Sequence, residues 1–279
     1  MFIVNPISGK RRKNLLISYL KNEGYEVVST EYAGHGEVLA HNADDDVVVA
    51  VGGDGTVNEV ARGLVGTGKT LGIIPCGSGD GLALHLGISR VFRKALNVIK
   101  AGNTKTIDGA TINGRYFFSV CGTGFDAIVS RNFARSGKRG LHNYIHQALL
   151  TWSGFKPEKY TVEVDGNSAE VEAAFITVGN SSQWGNMARI APLADISDGE
   201  LDITIVEMFQ PHEIPELAFR LMTGTAHKSS RTTCLKGKHV RIIRESEGPV
   251  HADGEWFEDG KVLDIRIEPR LLKVIVPGE

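Results

Sequence analysis

The stretch Val51-Gly52-Gly53-Asp54-Gly55-Thr56-Val57-Asn58-Glu59 carries the residue types that a phosphate site needs. Three glycines let backbone N–H groups approach a polyphosphate. A helix opening at Thr56 adds unpaired donors and the positive end of its dipole. Asp54 places a carboxylate where a passive phosphate cradle would not want one, and magnesium carried on the phosphates would make use of it. Two more turns have similar chemistry, Asn5-Pro6-Ile7-Ser8-Gly9-Lys10 and Pro75-Cys76-Gly77-Ser78-Gly79-Asp80-Gly81. Late in the chain, Asp253-Gly254-Glu255 adds two carboxylates on what reads, taken alone, as a hairpin turn.

These groups must be positioned by regular elements. In the first hundred residues strand and helix patterns alternate. Apolar strands are predicted over 2–5, 25–30, 47–51 and 71–75, the third a β-branched-rich run suited to a strand buried on both faces. Leu15, Leu16, Tyr19 and Leu20 share one helical face, and short helices are predicted over 37–43, 82–86 and 90–100. The helix after Gly55 has a capping box, Thr56 with Glu59, and an apolar face of Val57, Val60, Ala61 and Leu64. Such alternation implies a parallel sheet covered by helices, with all three glycine-rich turns at its carboxyl edge, where ligands bind.

After Ala101 the texture changes. Short alternating strands are predicted over 116–121, 161–164, 173–178, 201–206, 240–244, 262–267 and 272–276. Turns such as Asp165-Gly166 and Asp259-Gly260 separate them, and helices interrupt over 141–152 and 211–222. The expected fold is an α/β N-terminal domain with a parallel sheet (1–104) and a β-rich, antiparallel, sandwich-like C-terminal domain (105–279). The last strand is free to pack back on the first domain.

Two glycine motifs are decoys. Gly63-Leu64-Val65-Gly66-Thr67-Gly68-Lys69-Thr70 matches the Walker A pattern, but it closes a helix and precedes a strand, the reverse of a P-loop. Gly122-Thr123-Gly124-Phe125-Asp126-Ala127 resembles a dinucleotide fingerprint, yet no ribose-binding acid follows about 20 residues on. A structural turn is the plainer account.

Composition narrows the function classes. The chain has 279 residues, 33 of them glycine, against roughly 20 expected at average usage. A net charge of -2 argues against nucleic acid as a partner. Three scattered cysteines fit a reducing cytoplasm, and the start has no signal-peptide pattern. No apolar run approaches the ~20 residues of a membrane span. Basic clusters at 10–13 and at Arg131, Arg135, Lys138 and Arg139 leave peripheral contact with an inner membrane surface open, although most such runs are solvated faces. Trp152, Phe155, Trp184, Met187, Phe209 and Met222 could line an apolar site or belong to the core. Oligomeric state, a homodimer included, is left open.

The motif order resembles the diacylglycerol kinase catalytic family, which includes bacterial lipid kinases, sphingosine kinases and ceramide kinases. The resemblance rests on Asn-Pro-x-Ser-Gly-Lys, Gly-Gly-Asp-Gly-Thr-x-Asn-Glu and Pro-x-Gly-Ser-Gly-x-x-x-Ala. It continues through 122–127, 197–202 and 253–255. It implies ATP in a cleft between the domains, a lipid acceptor, and magnesium. By motif position Asn5, Ser8, Gly9 and Lys10 would contact nucleotide. Gly52, Gly53, Asp54, Gly55, Thr56 and Asn58 would hold phosphates and magnesium, with Gly77 and Ser78 closing the far side. Glu255 would be the base, and a structural magnesium would map to Asp195, Asp198 and Glu200. The chain departs from the family at Asp80-Gly81, where the family usually has Asn, often followed by Asp. A carboxylate there should cost phosphate binding unless a metal or cation compensates. An NAD kinase-like enzyme sharing the Gly-Gly-Asp-Gly-Thr loop is one rival, and a catalytically silent nucleotide- or lipid-binding regulator is another.

Overall fold

Short buried apolar runs build the first sheet: Phe2–Val4 (β1), Val27–Ser29 (β2), Val47–Gly52 (β3) and Thr70–Pro75 (β4). These elements come from a computed structural model that describes residues 1–6, 13–137, 141–152, 154–185 and 188–278. The strand order is β2-β1-β3-β4, all parallel, and residues 273–274 of the last strand, Val262–Ile275, add on beside β4, again parallel. Crossovers run through Lys13–Asn22 (α1), His35–His41 (α2), Asp54–Leu64 (α3), Gly81–His85 (α4) and Phe92–Ala101 (α5). Ile3, Val48, Ala50, Val60, Ile73 and Ile74 are fully buried, as expected where helices cover a parallel sheet. The chain divides into two units, residues 1–107 with 270–279, and residues 108–269.

One local expectation fails. α3 begins at Asp54, not after Thr56, and its N-cap Gly53 offers no side chain. Glu59 therefore caps a neighbour. Its carboxylate accepts the N–H groups of Gly34 (2.8 Å) and Gly36 (3.0 Å), at the start of α2. The Walker-like stretch ends α3, as its context suggested: Val65 is the C-cap, Gly66 turns left-handed, and Lys69 Nζ binds the carbonyls of His41 and Ala43.

The second unit is antiparallel. One six-stranded sheet runs Thr232–Gly237, Leu201–Val206, Phe175–Gly179, Val120–Gly124, Gly248–Ala252, Glu255–Asp259. Another holds Asn167–Ala173, Glu158–Val164 and His239–Arg244, followed by the first part of Val262–Ile275. Thr104–Ile112 and Arg115–Phe117 complete it. Inward residues of both sheets, among them Cys121, Ile176, Ile203, Val250, Tyr160, Val162, Ile242 and Leu263, form one core, the hallmark of a sandwich. Asp165-Gly166 is the hairpin turn expected of it, both residues at positive φ. Asp259-Gly260 is not, because the strands on its two sides belong to different sheets.

Candidate active site

In the first unit, β1, β3 and β4 end side by side. Val4 pairs with Val51, and Gly52 with Pro75. The ladder continues into the turns, where the N–H of Asn5 donates to Val51 O (3.2 Å) and that of Cys76 to Gly52 O (2.7 Å). The register therefore brings the turns after β3 and β4, and the Asn5 end of the turn after β1, to one carboxyl edge. Ser8, Gly9 and Lys10 lie outside the described residues. The turns after β3 and β4 touch backbone to backbone: a Cβ on Gly77 would stand 2.6 Å from the Gly53 Cα. Only glycine permits that approach.

Asp54 joins those two turns. Its Oδ2 accepts the N–H of Asp80 (2.9 Å) and its Oδ1 that of Gly81 (2.7 Å). Burial pushes the Asp54 carboxyl upward, and these backbone donors oppose the shift. The sequence pictured Asp54 as a carboxylate waiting for magnesium. Here it is first a bridge, although each oxygen keeps a lone pair. One turn further along α3, Asn58 is buried, and its Nδ2 has no partner among the described residues. A buried donor without an acceptor is costly unless a ligand supplies one. With Thr56 also buried beside the open N-terminus of α3, this donor set fits the oxygens of a polyphosphate.

In the second unit, Asp253-Gly254 is a two-residue hairpin turn, with φ of 49° and 80°, joining Gly248–Ala252 to Glu255–Asp259. Asp253 is an anchor: its carboxylate accepts the N–H groups of Phe118 (2.8 Å), Ser119 (2.7 Å) and Val120 (3.0 Å). Glu255 receives Arg115 Nη2 at 2.7 Å, and the same guanidinium lies 4.6 Å over the Phe257 ring. His251 Nε2 stands 2.9 Å from Asp126 Oδ2, both side chains buried, with Thr177 Oγ1 donating to the same oxygen at 3.1 Å. Arg244, 5% exposed, donates to the carbonyls of Gly248, Pro249, Asp259 and Gly260 and to Thr123 Oγ1. The hairpin is thus fixed from four directions. Sequence reasoning found Glu255 but missed Arg115, Arg244 and His251, whose partners are mostly remote in the chain.

The three residues expected at a structural magnesium, Asp195, Asp198 and Glu200, have protein partners of their own. Among the described residues no three His, Cys, Asp or Glu side chains are arranged to hold a metal. Asp195 accepts the N–H and hydroxyl of Ser197. Lys236 Nζ lies 2.8 Å from Asp198, 3.5 Å from Asp202 and 3.9 Å from Glu200. The strand register places Lys236 opposite Asp202, so an internal cation already balances the loop.

Phe209 is buried, and Trp152, Phe155 and Trp184 pack on the same apolar cluster, so these four are core. Met222 is 54% exposed, and Met187 lies outside the described residues. Arg131 reaches Glu258 and Arg135 lies over Trp256, both holding the helix Phe125–Arg135 to the hairpin, while Lys138 and Arg139 are outside the described residues. Of the basic run at 10–13, residues 10–12 also lie outside them. No described helix is long and apolar enough to cross a membrane.

Residues 1–112 match the diacylglycerol kinase catalytic domain, and residues 119–276 match the YegS C-terminal NAD kinase beta sandwich-like domain. A diacylglycerol kinase of Bacillus subtilis (strain 168) is 27% identical over 99% of this chain and 96% of its own. One of Mycobacterium tuberculosis (strain H37Rv) is 30% identical over 99% and 94%. A solved structure of a candidate diacylglycerol kinase from Bacillus anthracis superposes with a TM-score of 0.81 at 26% identity, covering 99% of this chain and 96% of that one.

Proposed function

This chain belongs to the diacylglycerol kinase family, and from that premise we propose that it is an ATP-dependent lipid kinase acting on a hydroxyl of a diacylglycerol- or sphingoid-like lipid. The observation that carries the site assignment is the buried, unpartnered Asn58 Nδ2 beside the α3 N-terminus, at the edge where the turns after β3 and β4 touch and Asn5 joins the ladder.

Phosphoryl transfer is mostly positioning and charge neutralisation. Asn5, the backbone of Gly52, Gly53, Gly55 and Thr56, and Gly77 with Ser78 would bind the phosphates, joined by Asn58. Ser8, Gly9 and Lys10 complete the assignment by motif position. Magnesium bound with the phosphates would neutralise their charge, and Asp54 is the carboxylate of this unit that would hold it. Glu255 is assigned as the base: its carboxylate takes the proton of the lipid hydroxyl, whose oxygen then bonds the γ-phosphorus as the bond to the β-bridging oxygen breaks and ADP leaves. Arg115 fixes the orientation of Glu255.

A lipid acceptor requires contact with a lipid surface. We assign this to apolar side chains that the second unit leaves exposed: Ile145, Leu149 and Leu150 on Leu141–Trp152, and Phe219 and Met222 on Ile214–Thr223. The deciding experiment offers radiolabelled ATP with lipids in mixed micelles and, separately, with NAD. Label in lipid is the expected result. Label in NAD alone would identify the NAD kinase-like rival, and ATP binding without label in either product would identify a silent regulator.

A further inference from the structure

The family's amide position is occupied here by Asp80, a side chain only 1% exposed. Such a carboxylate needs a cation, and the structure supplies one. Arg90 Nε donates to Asp80 Oδ2 at 3.0 Å, while Arg90 Nη2 donates to the carbonyls of Ser78 (3.0 Å) and Gly79 (2.7 Å). The other oxygen of Asp80 accepts the N–H of Gly77 at 2.9 Å. Asp80 sits in the left-handed region at φ 50°, which aspartate tolerates better than most residues.

These bonds determine which donors the turn presents. In a trans peptide the carbonyl and N–H point opposite ways. With the Ser78 carbonyl tied to Arg90, the N–H of Gly79 must point away from Arg90. The N–H groups of Gly77, Asp80 and Gly81 are consumed by Asp80 and Asp54. Those of Ser78 and Gly79 have no partner among the described residues. Without Arg90 this buried side chain would keep only the Gly77 N–H as a partner, beside the turn's own anion site.

We propose that Arg90 is a positioning residue for phosphate binding: it neutralises Asp80, draws back the carbonyls of Ser78 and Gly79, and so turns the Gly79 N–H, next to the unpartnered Ser78 N–H, toward a phosphate oxygen. The identity of the ligand rests on the ATP reading above, while the clamp itself is independent of it.

The test compares wild type, Arg90→Gln, Asp80→Asn and the double variant, with melting temperature as the folding control. ATP affinity is measured by titration without lipid, and KM for ATP and for lipid is measured separately. Arg90→Gln is expected to weaken ATP binding at least tenfold, with KM for lipid unchanged within twofold. Adding Asp80→Asn should recover at least threefold of the loss, because the uncompensated charge is gone. Affinity within twofold of wild type in Arg90→Gln, or a double variant no better than the single, overturns the proposal. Hydrogen exchange at the amides of Gly77, Asp80 and Gly81 is read in parallel. They should exchange at least tenfold faster in Arg90→Gln, and unchanged rates also overturn the clamp. If wild type binds no ATP, the kinase reading fails and exchange alone decides the clamp.

Discussion

The carboxylate of Asp253 is fastened to the backbone of Ser119, accepting its N–H at 2.7 Å, with Phe118 and Val120 completing a three-donor cradle. This bond turns a flexible hairpin tip into a fixed platform for Glu255 two residues on. Asp253→Asn keeps the size but replaces one acceptor oxygen by a donor facing N–H groups. The second unit should lose about 2 kcal/mol, read as a lower urea midpoint. Turnover should fall with it, and an unchanged midpoint would demote Asp253 to an ordinary turn residue.

Glu255→Gln removes the assigned base while leaving the residues of the first unit untouched. Lipid phosphorylation should drop by roughly 10²–10⁴-fold, with ATP affinity within twofold of wild type. Turnover at the wild-type rate would take the proton-acceptor role away from Glu255.

Arg244 spreads its guanidinium over four carbonyls and one hydroxyl in an almost fully buried setting. Arg244→Leu leaves those acceptors unsatisfied and should cost roughly 3 kcal/mol or more. Denaturant unfolding of the second unit measures it. Lysine should rescue only part of the loss, since one ammonium cannot replicate a planar fork.

Lys236 is held charged by the carboxylate of Asp198, and next by that of Asp202, which raise it above its ordinary value of 10.5. A raised cation stabilises fully below pH 10.5, and its contribution disappears as pH climbs through the raised value. Lys236→Met should therefore lower the melting temperature at pH 7 by a few degrees, roughly 1 kcal/mol at most for a group 39% exposed and screened by salt. The gap to wild type should close in strong alkali. Chelator added to wild type reads the expected magnesium directly: a fall in melting temperature places a metal in this loop, and an unchanged one leaves Lys236 as its cation.

The cysteines should separate by reactivity. Cys121 is buried, and burial, then the nearby carboxylates of Asp253 and Asp126, push its thiol well above the usual range. Cys76 is partly accessible and Cys234 exposed. Alkylation of the native protein should mark Cys76 and Cys234 only, with Cys121 appearing in denaturant. Labelling of native Cys121 would show that the sandwich core opens.

The α/β half was legible because its signals are local. The β-branched run ending at Gly52, the glycines after it and the amphipathic α3 lie within about twenty residues of each other, and the parallel register then aligns the turns. The antiparallel half was less legible because pairing there joins distant segments. Thr104–Ile112 was missed, with its exposed first residues Thr104, Lys105 and Thr106 and no clean alternation. The last strand read as two pieces because Glu268-Pro269-Arg270 interrupts its apolar pattern, with Arg270 at φ 57°, yet the ladder resumes beyond it. Glu59 fitted a capping box in sequence, but the helix it caps became visible only once α2 and α3 packed together. Arg90 read as the start of a helix, and nothing within one helical turn of it signals a partner ten residues back.

That last strand has a consequence for how the protein is made. Residues 270–279 complete the first unit, and Lys273 and Val274 cover the edge of β4, but the ribosome synthesises them after the entire second unit. Until then β4 offers a bare parallel edge, a site for mispairing during synthesis. The α/β unit, started before the second unit on the nascent chain, is therefore completed only after it.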